Sequence, residues 1–190
     1  LSWLFFALSL SASQSVFALY AQHAYNFNSF STGLAFAGIG VVAVLNQTLL
    51  LRGLWLKYFS VSRLEVLMSV ILGLSFFLLG SDILFLFFIA LPLFATGQSV
   101  QRVVITSEVT GKSDPHMKGE ALGILTSLMA ASMVLGPVIG GALFEIHDGY
   151  PFFLAGAMMV VSLIIAFQNH RNSAAAVQVV TAGDEGRQAE

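Results

Sequence analysis

Five side-chain amides fall inside long uncharged stretches of this 190-residue sequence: Gln14, Asn46, Gln47, Gln98 and Gln101. An amide both donates and accepts hydrogen bonds but does not ionise. Such groups suit either the recognition of a neutral or amphipathic molecule or the bonding of one helix to its neighbour, and both readings stay open on the sequence. Covalent or metal chemistry has less to work with. His23, His116, His147 and His170 show no HExxH or similar spacing, and the absence of cysteine removes disulfides and thiolate metal sites. No catalytic residue, metal or cofactor is expected, and an enzyme is the disfavoured class.

The elements that position these amides follow from where charge is missing. Only 9% of residues are charged and 57% are hydrophobic, against roughly 25% charged in ordinary soluble domains, so the solvent of most of the chain must be lipid. Residues 1–51 carry no Asp, Glu, Lys or Arg, and further uncharged runs of 16, 19, 24 and 22 residues separate Glu65, Asp82, Arg102, Glu120, Glu145, Asp148 and Arg171. Each run is near the ~20 residues a helix needs to cross the hydrocarbon core. The first is long enough for two crossings, with a polar break at Asn26, Asn28, Ser29, Ser31, Thr32 and Gly33. Six helices are therefore expected, at about Trp3–Tyr20, Gly33–Leu51, Leu64–Leu79, Ile83–Ile105, Glu120–Phe144 and Pro151–Phe167. The fold class is all-α and polytopic, with residues 1–168 as one transmembrane bundle. Residues 169–190 are small and polar and are expected to form a disordered cytoplasmic tail.

All eight basic residues lie in three places: Arg52, Lys57 and Arg63; Arg102, Lys112 and Lys118; Arg171 and Arg187. The three intervening segments have none, so by the positive-inside rule the basic loops and both chain ends are expected on the cytoplasmic side of the plasma membrane. The lipid bilayer is the first expected partner, and no nucleic-acid partner is expected. Within the helices, Pro92 removes a backbone hydrogen bond and is expected to kink the fourth, as a gate or as a static feature. On the fifth helix Gly119, Gly123, Thr126, Ala130, Pro137 and Gly141 fall on one side at 100° per residue. That stripe of small residues would let another helix approach closely, and Gly136 and Pro137 add a second expected kink.

The run Gly119-Glu120-Ala121-Leu122-Gly123, followed by Thr126-Ser127-Leu128 and then by Gly136-Pro137-Val138-Ile139-Gly140-Gly141, resembles the eleventh transmembrane helix of the major facilitator superfamily. The likeness is to the drug:proton antiporter branch that includes the tetracycline-efflux proteins. Pro151-Phe152-Phe153 matches the opening of that family's helix twelve, and Gln47, Arg52, Lys57, Phe59 and Arg63 sit where it has a basic cytoplasmic loop. The resemblance spans Trp3 to Phe167. It implies the C-terminal six-helix half of a twelve-helix transporter, whose N-terminal half would be the missing partner and would carry most of the proton-coupling carboxylates. By the resemblance, the first, second, fourth and fifth helices line a central cavity while the third and sixth face lipid. The implied function is efflux of small amphipathic compounds or drugs by alternating access, with proton exchange as the implied drive. Uptake of a nutrient such as a sugar or organic acid by the same fold, and a non-transporting membrane scaffold, are the alternatives.

Overall fold

A computed structural model describes residues 2–114 and 116–168, and among them every regular element is helical. The six expected helices are present: α1 Ser2–Tyr25, α2 Ser29–Leu45, α3 Val61–Leu79, α4 Leu84–Lys112, α5 Lys118–Phe144 and α6 Tyr150–Gln168. Five are long and apolar enough to cross a bilayer, α2 counting through Leu50. The 19 residues of α3 extend about 28 Å at 1.5 Å per residue, close to the ~30 Å hydrocarbon thickness. The chain is thus an all-α polytopic membrane protein, and lipid is the medium around it. The expected tail at 169–190, with His170, Arg171 and Arg187, lies outside the described residues.

The polar break between α1 and α2 works through two asparagines. Asn26 adopts φ 54, a left-handed conformation that asparagine tolerates better than most residues. Asn28 then caps α2, its Oδ1 accepting the Ser31 N–H at 2.8 Å. Asp82, at φ 55, turns the chain from α3 into α4. Beyond Leu45 the α2 axis continues in wider π-helical turns from Asn46 to Trp55 and one further turn, Leu56–Tyr58, before α3.

Helix bounds differ from the sequence expectation where polar residues continue a helix past the apolar run. α1 reaches Tyr25 instead of Tyr20, and α4 reaches Lys112 instead of Ile105. Backbone hydrogen bonding carries α4 through Arg102, Thr106 and Glu108, none of which breaks a helix. Pro92 and Pro137 lie inside unbroken helices; each leaves the carbonyl four residues earlier, at Phe88 and Met133, without its helical donor.

Packing is pairwise. α1 lies along α5, α4 lies along α3 and also meets α2, and α6 packs on α3. The main core gathers Phe6, Leu10, Phe17, Tyr20, Phe76, Phe87, Phe94 and Phe152, while Leu64, Met68, Val100 and Val104 form a second cluster between α3 and α4. The α1–α5 contact uses Gly136 and Gly140: a side chain at Gly136 would strike Ser11 and Ala12, and one at Gly140 would meet the Ala12 carbonyl oxygen. The expected stripe lies elsewhere on the helix. Gly119, Gly123 and Gly141 have open space beside them, because α5 is rotated so that Leu125, Ser132, Gly136 and Gly140 are its buried residues. α3 also departs from a lipid-facing expectation. Its Leu64, Met68, Leu72 and Phe76 are buried between α4 and α6, and only a strip including Val70, Leu74 and Phe77 is exposed.

α2 and α5 are the least covered helices. Each buries 17% of its most apolar stretch, against 56% for α1, so both offer broad faces to lipid or to another protein.

Candidate functional site

Two of the five amides meet. Gln14 on α1 donates through Nε2 to Oε1 of Gln98 on α4, at 3.0 Å. This single bond uses one N–H of Gln14 and one lone pair of Gln98. It leaves the Gln14 carbonyl and three further N–H groups of the pair for a guest. The pair lines a cavity of about 130 Å³ whose other walls are Ser13, Phe17, Phe36, Ile39, Leu79, Phe94 and Phe152. The Ser13 hydroxyl is spent on the carbonyls of Ser9 and Leu10, at 2.8 and 3.1 Å, so the amides are the polar groups that remain. An aromatic chamber with one neutral donor–acceptor pair suits an apolar body carrying a hydrogen-bonding group.

The remaining amides do other things. Asn46 is buried at the start of the wide turns; its Nδ2 donates to the Val42 carbonyl at 2.9 Å and to Thr96 Oγ1 at 3.1 Å, while Oδ1 accepts from Trp55 Nε1 at 3.3 Å. Those bonds join α2, α4 and the turn, and they leave little capacity for a solute. Gln47 is exposed on the same turn. Gln101 is fully buried and points away from the chamber, donating to Ser69 Oγ on α3 at 3.0 Å, with its Oε1 unbonded. Gln98 and Gln101 are three residues apart, about 60° around the helix. α4 is wedged between α1 and α3, so that rotation sends one amide to each neighbour.

The chamber is braced by two ties that the sequence reading did not single out. At one end the Trp3 indole N–H donates to the Leu125 carbonyl at 2.8 Å, pinning α1 to α5. At the other, Tyr20 is wholly buried and its hydroxyl bonds the Leu79 carbonyl and Asp82 Oδ1, with the ring 4.7 Å from that of Phe152. A tyrosine in an apolar helix and an aspartate in the short connection between two others were both visible signals; their pairing depends on the folded arrangement.

Of the basic-loop residues, Lys57 and Arg63 are exposed, with the Lys57 amine 5.7 Å from the Tyr58 ring centre. The Arg52 side chain lies outside the described part of the structure. The opposite end of the bundle is acidic and histidine-bearing: Asp82, His147 and Asp148 share one depression, and His23 lies 3.7 Å from Asp148.

No profile of a known protein family matches the chain. It is similar to Multidrug resistance protein 2 of Bacillus subtilis (strain 168), with 26% identity over 183 residues covering 90% of this chain and 43% of that protein. It is 24% identical to Multidrug resistance protein 1 of the same organism over 161 residues, 84% of this chain and 41% of that protein. A shorter match, 29% over 62 residues, joins it to Quinolone resistance protein NorA of Staphylococcus aureus (strain MRSA252), covering 33% of this chain and 16% of that protein. The chain spans less than half the length of these curated relatives. It is a multi-pass membrane protein similar to bacterial proteins named for drug resistance.

Proposed function

We propose that this chain is the C-terminal six-helix half of a secondary transporter that exports small amphipathic organic compounds. The observation that carries the reading is the Gln14–Gln98 pair inside an aromatic chamber. The groups a guest would meet there are neutral and mostly apolar, which suits varied amphiphiles better than sugars, whose many hydroxyls need many partners. The named relatives support drugs as the solutes.

The second half of the transporter packs on the uncovered faces of α2 and α5, including the open side of Gly119, Gly123 and Gly141. Rocking of the two halves about the chamber exposes it to each side of the membrane in turn, and proton exchange drives export. The basic end, with Lys57, Arg63 and Lys118, faces the cytoplasm in the plasma membrane, as do both ends of the segment.

The protein carrying this chain, produced in a bacterial host lacking its main drug pumps, should speed the loss of a preloaded amphipathic dye such as ethidium. That loss should stop when a protonophore collapses the gradient. Equal loss from cells with an empty vector, across a panel of amphipathic dyes, would overturn the reading.

A further inference from the structure

A second cavity opens one turn along α4 from the amide pair. Gln98, Arg102 and Thr106 are spaced by four residues, so they stand one above another on the same side of the helix. Arg102 is exposed and, with Thr106, lines a space of about 230 Å³ together with Trp3 of α1 and Leu125, Thr126 and Met129 of α5. Arg102 lies 18 residues into α4, about 27 Å along its axis. That places it at the edge of the ~30 Å hydrocarbon layer, between the basic end of the bundle and the amide chamber.

No described residue pairs with this cation. Among the described residues Arg102 makes no ion pair, and the Thr106 hydroxyl makes no hydrogen bond within them. The neighbouring polar groups are otherwise engaged: the Trp3 indole N–H is bonded to Leu125, and the Thr126 hydroxyl to the Leu122 carbonyl at 2.8 Å. An arginine at the edge of the hydrocarbon layer, with no carboxylate partner among the described residues and opening on a cavity, is a place where a ligand supplies the counter-charge. The guanidinium fork matches two oxygens of a carboxylate or phosphate, and the Trp3 ring, Leu125 and Met129 give an apolar wall beside it.

We propose that this cavity binds the anionic group, a carboxylate or a phosphate, of an amphipathic molecule. Arg102 pairs with the two oxygens, Thr106 donates a further hydrogen bond, and the apolar body lies toward α1 and α5. Where the molecule is a transported solute, the inference rests on the efflux reading and extends its substrates to anionic amphiphiles. Where it is a membrane lipid, the phosphate headgroup makes the same contacts.

The test uses the intact protein in phosphatidylcholine nanodiscs, titrated with a naphthyl-tagged dodecanoic acid and with the corresponding amide. The acid should bind about tenfold more tightly than the amide, the ratio expected for a charge-assisted pair. Arg102→Gln should bring the acid down to the amide's affinity with the amide unchanged, which also shows that the variant is folded, and Arg102→Lys should keep part of the preference. Replacing some of the lipid by phosphatidylglycerol separates the sources: loss of acid binding assigns the site to a lipid phosphate, and unchanged binding assigns it to a free solute. Equal binding of acid and amide to the wild type, or a preference that survives Arg102→Gln, overturns the inference while leaving the efflux reading intact. Binding of neither probe also overturns the inference, while the efflux reading stands or falls on the dye assay.

Discussion

Gly140 gives the sharpest test of how α5 is seated. A β-carbon there would stand 2.5 Å from the Ala12 carbonyl oxygen and 3.1 Å from Ser15 Oγ. The first neighbour is backbone, so it cannot rotate away, and the helices must part by close to an ångström to restore ordinary contact. A gap of that size forfeits about a quarter to a half of the dispersion energy along the contact, and overpacking of this kind costs about 1–3 kcal/mol. In a chain of this size each kcal/mol moves the melting midpoint by roughly 2–4 °C, so Gly140→Ala should melt roughly 2–12 °C below a glycine-to-alanine change on the same helix that meets no neighbour, the gain in helix propensity being common to both. Gly123→Ala is the control, because nothing lies within 4 Å of its β-carbon position. There the better helix propensity of alanine, worth about 1 kcal/mol, should leave the midpoint unchanged or raise it. Trp3 reports the unfolding directly, since its indole is buried and bonded to Leu125 on α5. Tryptophan fluorescence of the purified chain in detergent, followed with temperature, gives the comparison. Equal destabilisation by the two variants, or a larger loss at Gly123, would refute the assignment of Gly136 and Gly140 as the α1–α5 contact.

Other outcomes follow from the same geometry. Asn46→Leu removes three side-chain hydrogen bonds and strands Thr96 and Trp55; the melting midpoint should fall by an amount corresponding to about 1–3 kcal/mol. Gln101→Leu combined with Ser69→Ala removes both partners of a buried bond and one unbonded oxygen, so stability and dye efflux should both stay near wild type. Tyr20→Phe deletes the hydroxyl that ties α1 to Leu79 and Asp82 and should cost about 1–3 kcal/mol in the same melting assay. Gly123→Leu should leave the isolated chain stable yet cut efflux by the intact protein severalfold, because the bulk meets only the partner half; undiminished efflux would remove that face from the proposed interface.

The number of helices and their approximate positions were legible because charge is expelled from the hydrocarbon, so Glu65, Asp82, Arg102, Glu120, Glu145 and Asp148 mark where crossings stop. The same signal misjudges helix ends. Arg102 ends an apolar run but not a helix, and α4 continues to Lys112. Helix rotation was hidden for a further physical reason. Lipid and protein core are equally apolar, so a membrane helix lacks the polar face that tells inside from outside in a soluble bundle. That is why the sequence does not reveal that Gln98 and Gln101 separate toward α1 and α3, and why the small-residue stripe of α5 lies beside its packing face. The Gln14–Gln98 contact joins residues 84 apart, and no local pattern encodes such a pairing. Arg102 was visible as one more basic residue; that it has no carboxylate partner among the described residues appears only when the surrounding helices are in place.

The measurement that bears most directly on transport through the amide chamber is dye movement in proteoliposomes under an imposed pH gradient, wild type against Gln14→Leu with Gln98→Leu. The chamber keeps its aromatic walls in the double variant but loses its hydrogen-bonding pair, so the KM for a neutral amphipathic dye should rise at least tenfold, the equivalent of about 1.4 kcal/mol. A double variant that folds and moves the dye with wild-type KM and rate would contradict the assignment of Gln14 and Gln98 to the solute path.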